Sequence, residues 1–320
     1  SIQRGPLRSK PTRTGSRTRQ LRLGISDSRT PQLAAGFFCH LGQRLRFLVQ
    51  GRSRYGKEQV RLMEIEGRTA LITGGAHRVG KAITLALARA GANVVVNYHS
   101  SVGAADETVD EAQAHGVQAL AVRADVSDQA QVEGMVDAAR QRFGGVDILV
   151  NSASLWRRTP FPMEDLADWH RVTGILINGS LYCANGVAPL MLKRGEGAIV
   201  NIVDLSAWQP WPDRAAHSVG KAALLALTRQ LALDLAPAVH VNAVAPGPVL
   251  SVPGSSEEEN ARIAQGTLKG RWGTPDDVAN LVAFLVGDEG SWIRGQVLDS
   301  EGGFDRFERH DVHRLADSDE

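Results

Sequence analysis

Cysteine is scarce in this 320-residue chain, which contains only Cys39 and Cys183. Two cysteines exclude a disulfide framework and a cysteine-based zinc site, and they favour a reducing compartment such as the cytoplasm. Long hydrophobic runs are missing too, because charged residues or glycines interrupt every stretch that approaches the roughly 20 apolar residues of a membrane-spanning helix. With 22% charged and 43% hydrophobic residues, the chain is not disordered, collagen-like or membrane-spanning as a whole. We expect neither a metal ion nor a membrane as a partner.

The first 62 residues differ in charge from the rest. They contain 14 Lys and Arg against two acidic residues, a net charge of +12, whereas residues 63–320 contain 22 against 33, a net charge of −11. Residues 1–62 therefore form a basic leader, and the composition of residues 1–32 predicts disorder. Three interpretations stay open: non-catalytic sequence upstream of or fused to a domain that begins at Met63, an Arg-rich transit peptide, or an arm for nucleic acid or acidic lipid. We favour the first and expect no nucleic-acid partner.

From Met63 onward, short apolar segments alternate with helical patterns. Strands that are apolar on both faces and separated by helices predict a doubly wound (Rossmann-type) parallel sheet with helices on both faces. We expect this α/β fold as a single domain over residues 63–305, followed by a polar tail at 306–320. The predicted strands lie at 64–73, 93–98, 117–123, 146–150, 198–203, 239–244 and 296–300, with helices at 81–90, 103–115, 128–143, 164–192 and 213–236 and two more beginning near Ser256 and Thr274.

A glycine-rich turn follows the first predicted strand. It reads TGGAHRVG over residues 73–80 and opens a helix, so its backbone N–H groups can approach a pyrophosphate. The second strand ends in NYHSS, residues 97–101, without the acid that NAD-preferring sites place on the ribose hydroxyls. A guanidinium in the turn and hydroxyl or amide donors therefore favour the 2′-phosphate of NADP(H). The predicted cofactor ligands here are Gly74, His77, Arg78, Val79, Gly80, Asn97, Ser100 and Ser101.

Later motifs extend this pattern into a family resemblance. Together with TGGAHRVG, the motifs Asp125-Val126, NSAS at 151–154, Asn178, Lys221 and PGPV at 246–249 resemble the short-chain dehydrogenase/reductase superfamily over about residues 64–305. The arginine in the glycine motif, the NYHSS run and Asp204 after the fifth predicted strand are most similar to pteridine reductases and their bacterial relatives. The resemblance implies an NADP-dependent oxidoreductase that acts on a small molecule and forms a homodimer or homotetramer through its two long helices.

The resemblance also implies a cofactor contact for each later motif. Asp125 would bond the adenine amino group beside Val126, Asn151, Ala153 and Ser154 would pass the adenosine ribose, Lys221 would hold the nicotinamide ribose, and Pro246, Gly247 and Val249 would hold the carboxamide. Plainer roles stay open, namely a helix cap for Asp125, a turn residue for Asn151 and a simple loop at 246–248.

The tyrosine that such enzymes use as a proton donor is absent. The superfamily places it four residues before the active-site lysine, and this chain has His217 four residues before Lys221, on the same helix face. Free imidazole titrates near ~6.5 and can donate a proton at neutral pH, while Asp204 can offset the opposing charge of Lys221. Three interpretations remain: His217 donates with Asp204, Asp204 or an ordered water donates without it, or the fold binds a cofactor with little chemistry.

Four further side chains are candidates near the substrate. Asn178 matches the superfamily position that holds a water linked to the lysine, or it simply kinks its helix. Trp156, Trp208 and Trp211 follow the fourth and fifth predicted strands and suit a flat or apolar carbonyl or imine compound, unless they serve loop packing or an oligomer contact. The predicted function is NADPH-dependent reduction of a small carbonyl or pteridine-like substrate, and the alternative is a catalytically weak NADP(H)-binding sensor or scaffold.

Overall fold

The computed structural model describes residues 64–251 and 254–304. The basic leader and the polar tail predicted for the two ends of the chain lie outside the described residues. Our expectations for them therefore stay predictions.

Strands and helices alternate through the described part of the chain. The strands are β1 (Thr69–Thr73), β2 (Asn93–Tyr98), β3 (Ala119–Arg123), β4 (Ile148–Asn151), β5 (Gly197–Ile202), β6 (Val239–Pro246) and β7 (Val297–Ser300). The helices are α1 (Arg78–Arg89), α2 (Val102–Gln113), α3 (Gln129–Phe143), α4 (Ala167–Thr173), α5 (Ser180–Arg194), α6 (Ala215–Asp234), α7 (Glu257–Gln265) and α8 (Pro275–Val286). A π-helical segment, Gly174–Gly179, joins α4 to α5.

The seven strands form one parallel sheet in the order β3-β2-β1-β4-β5-β6-β7. The chain builds outward from β1 to β3 and then returns to β4 on the other side of β1, which creates a topological switch point between β1 and β4. Ligands of such sheets bind beyond the carboxyl ends of the strands at this point. The predicted doubly wound, Rossmann-type single domain is confirmed.

Two apolar layers cover the sheet, one on each face. Because side chains alternate along a strand, Ile72 of β1 packs with α1, α2 and α8 on one face, whereas Leu71 packs with α3 and α5 on the other. All five residues of β1 are buried. Burial on both faces explains why the central strands read as continuous apolar runs.

Several strand and helix boundaries differ from the predictions, most clearly at the first strand and the long helix before β5. β1 begins at Thr69 rather than residue 64, because Gly67 has a φ of +73° and the chain turns there, with Arg68 N donating to Ile65 O (3.1 Å). Asp128 caps α3 by accepting a hydrogen bond from Gln131 N. The long helix predicted at 164–192 starts at Ala167 and is interrupted by the π-helical segment.

One helical run, Ala167–Arg194, is long and apolar enough to cross a membrane by length and composition. Half of its most apolar window is buried inside the protein. Cys183, Val187 and Met191 from this run pack under the sheet together with α3. Packing against the sheet thus accounts for the apolar character of this run.

Candidate active site

The carboxyl edge of the sheet gathers most of the predicted motifs. Thr73 of β1 pairs in register with Asn151 of β4, and Asn151 pairs with Asn201 of β5. The glycine-rich turn, the loop after β4, Asp204 after β5 and the Pro246 turn therefore leave the sheet at the same edge.

Glycine is required at two positions of the turn after β1. Gly74 has a φ of +63°, and a Cβ there would lie 3.1 Å from Ala153 Cα. A Cβ on Gly80 would lie 2.2 Å from Gly74 O. The turn therefore packs directly against the loop after β4 and the first turn of α1, and a side chain at either position would separate them.

The two helices that follow β1 and β2 begin without a cap. Neither His77 before α1 nor Ser101 before α2 makes a side-chain capping bond, and neither helix has an acidic residue in its first turn. His77, Arg78 and Ser100 are exposed. Uncapped N–H groups, two helix dipoles and a guanidinium together form a donor set that fits the phosphates of a dinucleotide.

Asn97 has a different role from the predicted phosphate contact. Its side chain is only 2% exposed, its Oδ1 accepts a hydrogen bond from Gly74 N (3.1 Å), and its Nδ2 donates to Ala124 O (3.1 Å). Backbone groups use both ends of the amide, so no donor is left for a phosphate. Asn97 instead holds the glycine turn against the ends of β2 and β3.

Asp125 is an ionised acceptor held in place by two neighbours. Its Oδ1 accepts from the N–H and hydroxyl of Ser127 (3.0 and 2.7 Å), and its Oδ2 accepts from Arg171 Nη1 (2.6 Å). Partial burial acts to raise the pKa of this carboxyl, but the bonds from Ser127 and Arg171 outweigh it and lower the pKa. The helix-cap alternative for Asp125 is wrong, because Asp128 takes that position.

Asn151 belongs to a buried polar chain beneath the site. Its Nδ2 donates to Asn201 Oδ1 (2.9 Å), and Asn201 Nδ2 donates to Thr228 Oγ1 (2.9 Å). Asn151 Oδ1 is buried without a hydrogen-bond partner among the described residues. Thr73 Oγ1 fixes the following loop by accepting from Ser152 N and Ala153 N (2.9 and 3.0 Å).

Two backbone hydrogen bonds hold the turn after β6. Gly247 N donates to Ser300 O (3.1 Å), and Pro248 O accepts from Gly273 N (2.8 Å). A Cβ on Gly247 would lie 2.6 Å from Glu301 Cβ, so the turn and the end of β7 approach as closely as glycine allows. Val249 is buried in the core below the turn.

Asp204, His217 and Lys221 lie together beyond β5. His217 Nε2 lies 2.6 Å from Asp204 Oδ2, and Lys221 Nζ donates to Ile202 O (2.6 Å). Burial acts to raise the pKa of Asp204, but the hydrogen bond from His217 and the charges of Lys221 and His217 lower it to about 2. Burial lowers the pKa of Lys221, and the charge of Asp204 opposes this effect.

His217 lies under an aromatic cover. The imidazole is 3% exposed, and its Nδ1 has no hydrogen-bond partner among the described residues. Trp156 contacts it edge to face with ring centroids 4.7 Å apart, and Trp211 contacts Trp156 at 5.4 Å. Trp208 lies in the loop that contains Trp211 and is 39% exposed.

Comparison with known proteins decides the family. The family described as enoyl-(acyl carrier protein) reductase matches residues 74–305. The 3-oxoacyl-acyl-carrier-protein reductase of Synechocystis is 37% identical over 246 residues, which cover 76% of this chain and 99% of that protein. This chain belongs to the short-chain dehydrogenase/reductase superfamily. It is an oxidoreductase of that superfamily.

Two solved structures of superfamily members show the same fold. A 7α-hydroxysteroid dehydrogenase complexed with NADH and 7-oxo glycochenodeoxycholic acid is 35% identical, with a TM-score of 0.72 over 75% of this chain and 95% of that chain. A blue fluorescent protein from a metagenomic library in complex with NADPH is 31% identical, with a TM-score of 0.69 over 76% and 100%. The superfamily fold therefore binds a nicotinamide cofactor, and these two members hold different ones.

Asn178 does not lie with the other three predicted catalytic residues, Asp204, His217 and Lys221. Its side chain is exposed on the π-helical segment, whereas Lys221 is buried and bonded to β5. Leu176, two residues earlier, faces α6, where it would be 2.6 Å from a Cβ on Gly220. Leu176 therefore lies on the side of this segment that faces α6, whereas Asn178 lies on its exposed side.

Sequence reasoning missed several residues of this superfamily site. Ser206 donates to Asp204 through both its N–H and its hydroxyl, and the Asp-x-Ser spacing is typical of such a local turn. Arg171 lies 46 residues from its partner Asp125, and no local pattern indicates that pair. The same holds for Arg214, whose guanidinium carbon lies 4.4 Å from the centre of the Trp156 ring.

Proposed function

We propose that the protein is an NADPH-dependent reductase of a small carbonyl or pteridine-like compound, in which His217 replaces the usual tyrosine. The observation that carries this proposal is the 2.6 Å contact between His217 and Asp204, one helical turn from the buried Lys221. An acid, a base and a cation at the carboxyl edge of the sheet match the roles that carbonyl reduction needs.

The predicted cofactor residues fit the parts of NADPH, which supplies a hydride when bound. The uncapped helix starts support the phosphates, and the ionised carboxylate of Asp125 suits an adenine amino group. The orphaned Asn151 Oδ1 and the close-packed Gly247 turn support the remaining contacts. The residues that would hold the cofactor are Gly74, His77, Arg78, Val79, Gly80, Ser100, Ser101, Asp125, Val126, Asn151, Ala153, Ser154, Lys221, Pro246, Gly247 and Val249.

Proton transfer follows from the geometry of the His217–Asp204 pair. With a pKa of about 2, Asp204 is ionised at neutral pH, so its carboxylate can accept a hydrogen bond from Nε2 of His217. Its bond to Nε2 leaves Nδ1 as the atom that donates a proton to the substrate oxygen. Because Trp156 contacts the imidazole edge to face, a substrate that reaches Nδ1 lies against this indole.

Turnover tests this function directly. NADPH consumption by the full chain is followed with ketones, quinones and dihydropterins, and we expect at least one class to be reduced. Tight NADPH binding without turnover of any compound would contradict the reductase and favour the sensor or scaffold alternative. The missing tyrosine motivates this alternative, because a chain without the usual proton donor could bind the cofactor with little catalysis.

The preference for NADPH predicts a specific effect of Arg78. We expect calorimetry to give a tighter dissociation constant for NADPH than for NADH, and Arg78→Ala to weaken NADPH binding by about 10–100-fold because one charge-assisted phosphate contact is lost. Arg89→Ala is the matched control, since Arg89 ends the same helix and pairs with Asp276. Equal affinities of the wild-type protein for the two cofactors would overturn the preference.

Two further features bear on the cellular compartment and the oligomeric state that we propose. A reducing compartment such as the cytoplasm is compatible with Cys183, which is an unpaired and buried thiol. The helices α5 and α6 expose Leu181, Leu192, Val219 and Leu233, which supports a homo-oligomer built on these two helices. Light scattering of the full chain tests the oligomer, and a monomer at micromolar concentration would contradict it.

A further inference from the structure

Arg214 is fixed at the mouth of the site by backbone pairing. It directly precedes α6, and it forms an isolated parallel bridge with Thr159 from the loop after β4. Thr159 N donates to Asp213 O (2.8 Å), and Ala216 N donates to Thr159 Oγ1 (3.0 Å). These bonds join the loop that carries Trp156 to the start of the helix that carries His217.

The guanidinium of Arg214 carries a charge that its surroundings do not neutralise. Its carbon lies 4.4 Å from the centre of the Trp156 ring, and within residues 64–251 and 254–304 no carboxylate lies at ion-pair distance. The neighbouring Asp213 bonds Arg158 Nη2 instead (2.5 Å). Burial and then the charge of Arg158 lower the pKa of Arg214, while the charge of Asp213 opposes this effect.

A second donor without a partner lies in the same cluster. Trp211 Nε1 is buried and has no acceptor among the described residues, and its ring contacts Trp156 at 5.4 Å. An indole N–H can only donate, so it leaves a place for an oxygen atom. A guanidinium held on an aromatic face beside an unfilled N–H is a combination that recognises a carboxylate.

The positions of Arg214 and His217 against the same indole limit the length of the substrate. The indole of Trp156 contacts both the guanidinium of Arg214 and the imidazole of His217. Because both groups contact the same indole, we infer that the substrate is a short oxo acid, whose carboxylate binds Arg214 while its carbonyl oxygen faces His217. The inference rests on the proposed reductase function and deepens it by naming the substrate class.

The test compares an oxo acid with its neutral ester. Turnover of 4-oxopentanoate and of methyl 4-oxopentanoate is measured with NADPH for the full chain, Arg214→Gln and Arg140→Gln. Arg140, on α3, pairs with Asp137 and serves as a control for the loss of one exposed arginine. We expect the wild-type protein and Arg140→Gln to prefer the acid in kcat/KM by about 10–100-fold, and Arg214→Gln to lose this preference through a higher KM for the acid.

Arg214→Lys sharpens the result, because lysine keeps the charge but loses the planar fork and part of the stacking on Trp156. We expect it to recover part of the preference for the acid. An unchanged acid-to-ester ratio in Arg214→Gln would overturn the inference while the reductase function stands.

A binding measurement separates the two proposals when turnover fails. If the wild-type protein reduces neither compound nor any of the carbonyl panel, the reductase function fails. Calorimetry with 4-oxopentanoate and NADP+, which cannot reduce it, still tests the subsite. Tighter binding by the wild-type protein than by Arg214→Gln supports the subsite, and equal binding overturns it.

Discussion

Two aspartates at opposite ends of the sheet form pairs of different kinds with basic side chains. Asp204 follows β5 at the carboxyl edge, and Asp147 precedes β4 at the amino edge. Each is largely buried and pairs with a basic side chain. Asp204 contacts His217 at 2.6 Å, whereas Asp147 contacts Arg194 and accepts from Thr69 N (2.9 Å).

The difference lies in the basic partner. Arg194 is permanently charged, and its guanidinium also donates to Gly144 O (2.7 Å), so this pair ties the end of α5 to the loop before β4 and has no proton to exchange. The imidazole of His217 can hold or release a proton, and its Nδ1 is left without a described partner. One buried pair therefore supports the fold, and the other is the pair that we propose to pass a proton.

The largest effect is expected at His217. His217→Gln keeps a donor for Asp204 but has no group that acts as an acid near neutral pH, so we expect kcat to fall by about 10²–10⁴-fold with a small change in thermal stability. Steady-state NADPH oxidation, together with thermal unfolding, measures both effects.

His217→Tyr provides the matched comparison, because it restores the side chain that the superfamily uses. We expect it to retain more activity than His217→Gln, with a pH optimum shifted upward, since a phenol titrates near ~10. Full kcat in His217→Gln would show that the imidazole is not the proton donor.

The second effect is expected at Asp147 and concerns stability alone. Asp147→Ala leaves Thr69 N without its acceptor and Arg194 without its carboxylate, so we expect the free energy of unfolding to fall by about 3 kcal/mol. Urea unfolding measures the loss. Asp147→Asn keeps an acceptor and should cost less. If the folded Asp147→Ala protein lost turnover while its urea midpoint stayed unchanged, Asp147 would act in catalysis and not in stability, which would contradict this prediction.

Patterns that repeat along the chain made the fold predictable. Alternation along β1 and its neighbours, and the glycine-rich turn after β1, depend on residues close in sequence. The His217–Lys221 spacing belongs to the same class, since both lie on one helix, and the structure brings them together with Asp204. These features are set by local geometry and by burial on both faces of a parallel sheet.

Features that depend on side-chain direction were not predictable. The amide of Asn97 faces inward to hold the glycine turn, a choice that β2 alone does not reveal. Asn178 lies in a π-helical segment, which has no clear sequence signal and in which α-helical spacing does not give the direction of a side chain. Arg171 and Arg214 reach partners through tertiary contacts 46 and 58 residues away.

The smallest predicted effect is the acid sensitivity that Asp204 contributes to stability. Its pKa is lowered from 3.8 to about 2 in the folded protein, so its ionised form adds stability that is complete above pH 3.8 and is lost as the pH falls through about 2. The shift corresponds to about 2 kcal/mol. Urea unfolding at several pH values should therefore show Asp204→Asn less stable than the wild-type protein at pH 5, with the gap closing toward pH 2. A stability difference between the two proteins that does not change with pH would mean that the charge of Asp204 does not stabilise the fold. The contact between Asp204 and His217 would then contribute no more than a neutral hydrogen bond.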